Sequence, residues 1–139
     1  MEIKLLINNK AKKTIKNMKK SLDEVHPDNT QYIERWLSET NDVKCFILYE
    51  NETIKSFALL SKMISDPFNK HTNPYILDFI YTFIQYRRNK LAYKLLLYMK
   101  DSNYMTAFCK NDESSMLFQK AEYVLTKYDE NPNQVFRYP

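Results

Sequence analysis

Not one of the 139 residues is glycine. Glycine takes positive φ without steric cost, so it makes most tight turns and most close approaches of backbone to ligand. At the average frequency of about 7%, roughly ten would be expected in a chain of this length. Every turn must instead come from Asn, Asp, Pro or Ser. Any anion cradle must likewise form without the residue that normally lets a phosphate reach the main chain.

That constraint bears hardest on residues 78–92, Asp-Phe-Ile-Tyr-Thr-Phe-Ile-Gln-Tyr-Arg-Arg-Asn-Lys-Leu-Ala. An apolar, β-branched and aromatic run headed by Asp78 reads as a buried strand over 75–84. It passes through Arg87-Arg88-Asn89-Lys90 directly into a helix over 88–100, with Leu91, Leu95, Tyr98 and Met99 as its inward stripe. Free N–H groups at a helix start, with the positive end of the helix dipole, form an anion site. Three added cations point to a ligand with phosphates. The simpler alternative is a solvated basic helix start.

The remaining elements follow from periodicity and breakers. Residues 3–7 are a short strand closed by Asn8-Asn9. Ala11, Ile15, Met18, Leu22 and Val25 recur at spacings of four and three, predicting one helix over 10–25 with its lysines largely off the apolar face. His26-Pro27-Asp28-Asn29 breaks that pattern before a second helix over 30–39. Strands over 43–49 and 53–60 are joined by Glu50-Asn51-Glu52 as a hairpin. Residues 62–74, with two Asx-Pro pairs, form a long loop. A strand over 104–109 leads to a helix capped by Asn111, with Leu117, Phe118 and Ala121 inward. Strands over 123–128 and 135–138 close the chain. The order β-α-α-β-β-β-α-β-α-β-β predicts an α/β chain: a mixed, mostly antiparallel sheet of six to seven strands with about four helices on its faces.

Composition narrows the function classes. One domain, 1–139, is the expectation for this length. A net charge of +4 suits an anionic small molecule or an acidic surface. It falls short of the dense basic stripe of a dedicated nucleic-acid binder, and the lysines at 10–20 read as a solvated face. Cys45 and Cys109 lack metal or disulfide spacing and read as buried reduced thiols of a cytoplasmic-type compartment. His26 and His71 each stand alone, so no metal site is expected. No apolar run reaches membrane-spanning length.

The segment from Asp78 to Tyr123 resembles the GNAT superfamily of acyl-CoA-dependent N-acyltransferases. In that family the fourth strand runs into a turn of pattern Arg/Gln-x-x-Gly-x-Gly/Ala that opens a helix. Arg87-Arg88-Asn89-Lys90-Leu91-Ala92 matches at its first and last positions and carries Lys90 at the first glycine. Asn111, Leu117-Phe118 and Glu122-Tyr123 stand at the spacing of the family's later Asn, Leu-Tyr and Gly-Phe. These motifs occupy the last half of the chain, while the element order matches throughout.

The resemblance implies an N-acetyltransferase moving an acetyl group from the cosubstrate acetyl-CoA to a primary amine of a small molecule or protein. It places the coenzyme A pyrophosphate on Arg87, Arg88, Asn89, Lys90, Leu91 and Ala92. The pantetheine arm falls along the backbone of Ile80, Tyr81 and Thr82, and Asn111 joins the coenzyme site. Asp78, at the place of a family Glu, is the implied general base. Its apolar neighbours Leu77, Phe79 and Ile80 would raise its pKa toward usefulness. The plain alternatives are a hydrogen-bonded surface acid for Asp78 and a helix cap for Asn111. Phe118, where the family commonly has a proton-donating Tyr, and the glycine losses at Lys90 and Glu122 define a second expectation. That is a degenerate GNAT-fold protein, catalytically weak or inactive, acting by protein or coenzyme A binding. Monomer and homodimer are both compatible with the sequence.

Overall fold

The computed structural model describes residues 1–63, 75–100, 105–109, 117, 120, 121, 124–126 and 134–137. Its elements are β1 (Glu2–Ile7), α1 (Asn8–Asn17), a 3-10 turn at Ser21–Glu24, α2 (Pro27–Leu37), β2 (Val43–Glu50), β3 (Thr53–Lys62) and β4 (Tyr75–Thr82). A second 3-10 turn at Ile84–Tyr86, α3 (Leu91–Lys100), β5 (Met105–Cys109), β6 (Val124–Thr126) and β7 (Gln134–Arg137) follow. The strands lie in the order β1-β2-β3-β4-β5-β7-β6. Four long strands, β1 to β4, form an antiparallel block, and β4 meets β5 in parallel.

The centre of the sheet follows from unbroken apolar runs. In β2, Cys45, Phe46, Ile47 and Leu48 are all fully buried, as are Phe57, Ala58, Leu59 and Leu60 in β3. Strands apolar on both faces need cover on both. On one face Phe46, Leu48, Ala58 and Leu60 pack with Leu91, Leu95, Leu96 and Met99 of α3. On the other, Cys45, Ile47, Phe57 and Leu59 pack with Ala11 and Ile15 of α1 and Ile33 and Trp36 of α2.

The expected hairpin forms with a two-residue loop. Glu50 pairs with Thr53, and both Asn51 and Glu52 have positive φ, 53° and 64°. That is the twist a two-residue hairpin needs, normally supplied by Asn-Gly, with Glu52 here standing in the glycine place. α2 starts earlier than Thr30. Pro27 fits the first helical turn, and the exposed His26 caps it, its Nδ1 accepting from Asp28 N–H at 3.1 Å.

Three expectations need correction. The helix over 10–25 is two pieces: α1 ends at Asn17, and Leu22 and Val25 reach the core through the 3-10 turn. The strand over 75–84 stops at Thr82, and the helix begins at Leu91 rather than residue 88. Three α-helices are described where about four were expected. The fourth, expected from Asn111, falls largely outside the described residues; within it Leu117 and Lys120 are helical and Ala121 N–H donates to Leu117 O at 3.1 Å. The expected site residue Asn111, together with Phe118, Glu122, Tyr123, His71 and the greater part of the 62–74 loop, also lies outside the described residues. Among the described residues no helix is long and apolar enough to cross a membrane.

Trp36 ties α2 to the sheet. Its indole is 1% exposed, and Nε1–H donates to Leu60 O at 2.9 Å, where the β3–β4 register shifts. Trp36→Phe keeps most of the apolar contact and removes the donor, so it should cost roughly 1–3 kcal/mol. Urea unfolding measures this; an unchanged midpoint would show that the bond carries no weight.

Candidate functional site

β4 is held unequally along its two edges. Toward β3 it pairs from Lys62↔Tyr75 to Ser56↔Thr82. Toward β5 the described pairing is Tyr75↔Met105 and Ile76↔Thr106. Beyond Ile76 the described pairing with β5 ends; Thr82 O accepts from Arg87 Nε, and the other β5-facing backbone groups of β4 have no described strand partner. An extended ligand arm can add to such an edge through main-chain hydrogen bonds.

Where the strands part, the chain holds an open cleft of about 1000 Å³. It is lined by Ile80, Tyr81 and Thr82 of β4, Arg87, Arg88 and Lys90 of the turn, and Leu91 and Ala92 of α3. Tyr93, Leu117 and Lys120 complete it. Eight of the ten residues expected to hold a coenzyme thus line one cavity. Asn89 does not; its Nδ2 donates to Tyr86 O at 3.1 Å and braces the turn. Tyr93 and Lys120 were missed by sequence reasoning, though the lysine falls on the helix expected after Asn111.

The turn takes, without glycine, backbone conformations that glycine normally supplies. Arg88 and Lys90 have φ of 69° and 59°. Lys90 occupies the position of the family's first glycine and takes the left-handed conformation that glycine is used for. Alternating left- and right-handed residues point successive N–H groups toward one concavity. The first N–H groups of α3 have no carbonyl ahead of them, although Lys94 N–H already donates to Lys90 O at 3.0 Å. Arg88 and Lys90 are exposed, so their cations are available to a ligand in the cleft. Arg87 is engaged within the chain instead. Its Nε donates to Thr82 O at 3.0 Å, and its guanidinium lies 5.2 Å from the Tyr81 ring centre.

Asp78 sits in a β-bulge. Leu59 opposes Phe79 and Leu60 opposes Leu77, so Asp78 is the extra residue of β4. The bulge shifts the alternation of the strand: Tyr75 and Leu77 pack on the α3 face, whereas Phe79 and Tyr81 pack on the α2 face. Bulges re-aim side chains in this way. The Asp78 carboxyl is pushed up to about 6, first by burial and also by Glu39, against the opposing influence of a Ser61 hydrogen bond and of Arg35. Its Oδ2 is buried without a hydrogen-bond partner. A half-buried carboxyl with one free oxygen, titrating near neutrality, can accept a proton. It stands outside the set of residues lining the cleft, on the side of the sheet that α2 covers, where Arg35 and Glu39 act on it.

An aromatic row runs beside it. Tyr32 stacks on Phe79 with ring centres 6.2 Å apart, Phe79 on Tyr81 at 5.8 Å, and Tyr81 meets Phe83 edge-on at 5.5 Å. The Tyr81 hydroxyl donates to Glu24 Oε2 at 2.8 Å, and its pKa is raised to about 12, by burial first and then by Glu24, so it is a neutral phenol. Burial pushes the Cys45 thiol up, which makes it an inert core residue. Among the described residues no cluster of three His, Cys, Asp or Glu could hold a metal.

No protein-family profile matches the sequence, and no curated protein matches it. Solved structures do. The Bacillus subtilis N-acetyltransferase YlbP, in complex with coenzyme A, is similar at a TM-score of 0.63 and 14% identity, over 99% of this chain and 96% of that one. The aminoglycoside acetyltransferase AAC(6')-Iy, in complex with a bisubstrate analogue, is similar at a TM-score of 0.60 and 16% identity, over 92% and 95%. Arabidopsis thaliana NAA60, in complex with acetyl-CoA, is similar at 0.54 and 8% identity, over 98% and 97%. The chain has the GNAT fold.

Two substitutions test the geometry without any ligand. Lys90→Gly relieves a left-handed lysine and should stabilise the chain by up to about 1 kcal/mol; a loss of stability would contradict the positive φ. For Asp78 the sign follows from its raised value. Between about 4, the unfolded value, and about 6 the folded chain holds a proton that the unfolded chain has lost, so stability falls as pH rises through that window. Asp78→Asn should abolish this fall and stabilise by about 2 kcal/mol at pH 7.5. An unaltered pH profile of unfolding would contradict the burial of the charge.

Proposed function

We propose that the chain is an acetyl-CoA-dependent N-acetyltransferase of GNAT type, acting on a primary amine of a small molecule or a protein. The observation that carries this reading is the parting of β4 from β5 directly ahead of a turn with two left-handed cationic residues. The parted edge and the cradle lie in one cleft, which is what an extended arm ending in a diphosphate needs. The fold neighbours that hold coenzyme A or acetyl-CoA support it.

The fit of such a cosubstrate can be judged on the residues present. The Cβ of Lys90 is the feature most liable to obstruct the cradle, yet its side chain is exposed and the cleft beside it is open. Arg88, Lys90, Lys120 and the N–H groups opening α3 would hold the phosphates, and the main chain of Ile80 to Thr82 would hold the arm. Acetyl-CoA supplies an activated acyl group as a thioester. The protein's part is proton transfer and orientation. An amine entering from the α2 side of β4 would meet Asp78, which, ionised above about pH 6, accepts the proton that an ammonium must lose before its nitrogen can attack. Backbone N–H groups near Thr82 steady the oxygen that becomes negative during attack. The departing thiolate draws its proton from solvent.

The experiment is an assay of free coenzyme A thiol released in the presence of a panel of primary amines, across pH. The rate should climb through about pH 6 to a plateau. Asp78→Asn should lower kcat/KM by roughly 10²- to 10⁴-fold while leaving acetyl-CoA affinity nearly unchanged. Full activity in Asp78→Asn would remove the proposed base, and a wild-type chain that does not bind acetyl-CoA at millimolar concentration would remove the reading altogether.

A further inference from the structure

Beyond the packing of Tyr86 into the core, the cation turn is short of hydrogen bonds to distant parts of the chain. Phe83 N–H donates to Lys55 O at 3.1 Å, which ends β4 against β3. From there the bonds become local: Tyr86 N–H to Phe83 O, Arg87 N–H to Ile84 O, and Asn89 Nδ2 to Tyr86 O. Among the described residues, a single hydrogen bond reaches residues 84–90 from a distant part of the chain. It runs from Ile84 N–H to Glu24 Oε2 at 2.8 Å, across 60 residues of sequence. The same oxygen accepts the Tyr81 hydroxyl at 2.8 Å.

Glu24 ends the 3-10 turn between α1 and α2, so this carboxylate joins the junction of two helices to the exit of β4. The first N–H of the 3-10 turn at Ile84–Tyr86 has no acceptor within its own turn, and Glu24 supplies one. Bonds to an ionised acceptor are stronger than neutral ones, and two donors converging on one oxygen fix its position. Tyr81 extends the connection, because the Arg87 guanidinium lies over its ring and is bonded to Thr82 O. Glu24, Tyr81 and Arg87 therefore make a continuous line from the helix junction to the residues that face the cleft.

We propose that Glu24 is a positioning residue for coenzyme A, clamping the exit of β4 so that the turn from Arg87 to Lys90 is held in its anion-binding shape. The proposal rests on the reading of the cleft as a coenzyme A site. Glu24 touches no ligand in it. It acts through Ile84 and Tyr81, and it ties the helices on the α2 face to the turn on the opposite side of the strand.

The test compares Glu24→Ala, Glu24→Gln and Tyr81→Phe with the wild type by two readouts: amide hydrogen exchange of the free protein and calorimetric titration with coenzyme A. A Gln carbonyl can accept both bonds, so Glu24→Gln should exchange and bind nearly as wild type. Glu24→Ala should exchange about tenfold faster over 84–90, with β2 and β3 unchanged, and bind coenzyme A about tenfold more weakly. Tyr81→Phe, which leaves the bond to Ile84, should fall between. Unchanged exchange over 84–90 in Glu24→Ala, equal acceleration throughout the sheet, or identical behaviour of Ala and Gln would overturn the clamp. Localised exchange in a protein whose wild type binds no coenzyme A would overturn the ligand reading, and with it this role of Glu24, while leaving the clamp itself visible.

Discussion

The cleft depends on how one strand is hydrogen-bonded. β4 is fixed to β3 along its whole length but meets β5 through the two described pairs at its start. A strand buried in a sheet normally has both edges used, since an unpaired N–H or C=O away from water costs about as much as a lost hydrogen bond. Here the open edge costs less because it faces an open cleft. The parallel pairing matters too: β5 follows α3, so the helix that bears the cradle is the crossover between the two parting strands. The open backbone and the cationic turn are consequences of one connection.

The second constraint is the missing glycine, which the chain meets by accepting strained backbone rather than by changing the turn. Among the described residues five non-glycine positions have positive φ: Asn8, Asn51, Glu52, Arg88 and Lys90. Asparagine tolerates this region well, whereas each charged residue there costs on the order of 1 kcal/mol. At Arg88 and Lys90 the same backbone shape places two exposed cations at the rim of the cleft. A lysine at the glycine position replaces close main-chain approach with a mobile charge.

Much of this was legible in the sequence because it rests on strong local patterns. The unbroken apolar runs of β2 and β3, the apolar lead-in from Tyr75, and the Arg87–Lys90 cations each declared their element, and Asp78 stood out as a lone acid in an apolar strand. The exact extent of the turn was not legible. Phe83 and Ile84 look like strand and Arg88 looks like helix, but Phe83 turns into the core and the next residues wind into a 3-10 turn. The bulge at Asp78 was hidden for a related reason: an extra residue in one strand is defined by what it faces in its neighbour, and no pattern within β4 encodes that. Glu24 was invisible because its bonds span 57 and 60 residues. Within its own segment it is one more exposed acid.

The most direct measurement is an amide-resolved NMR titration of the labelled protein with coenzyme A. If the parted edge and the left-handed turn form one ligand site, shifts should concentrate on the amides of residues 80–82 and 88–92, with β1 and β2 silent. Saturating coenzyme A that leaves those amides in place, or moves a different face of the sheet, would contradict the account.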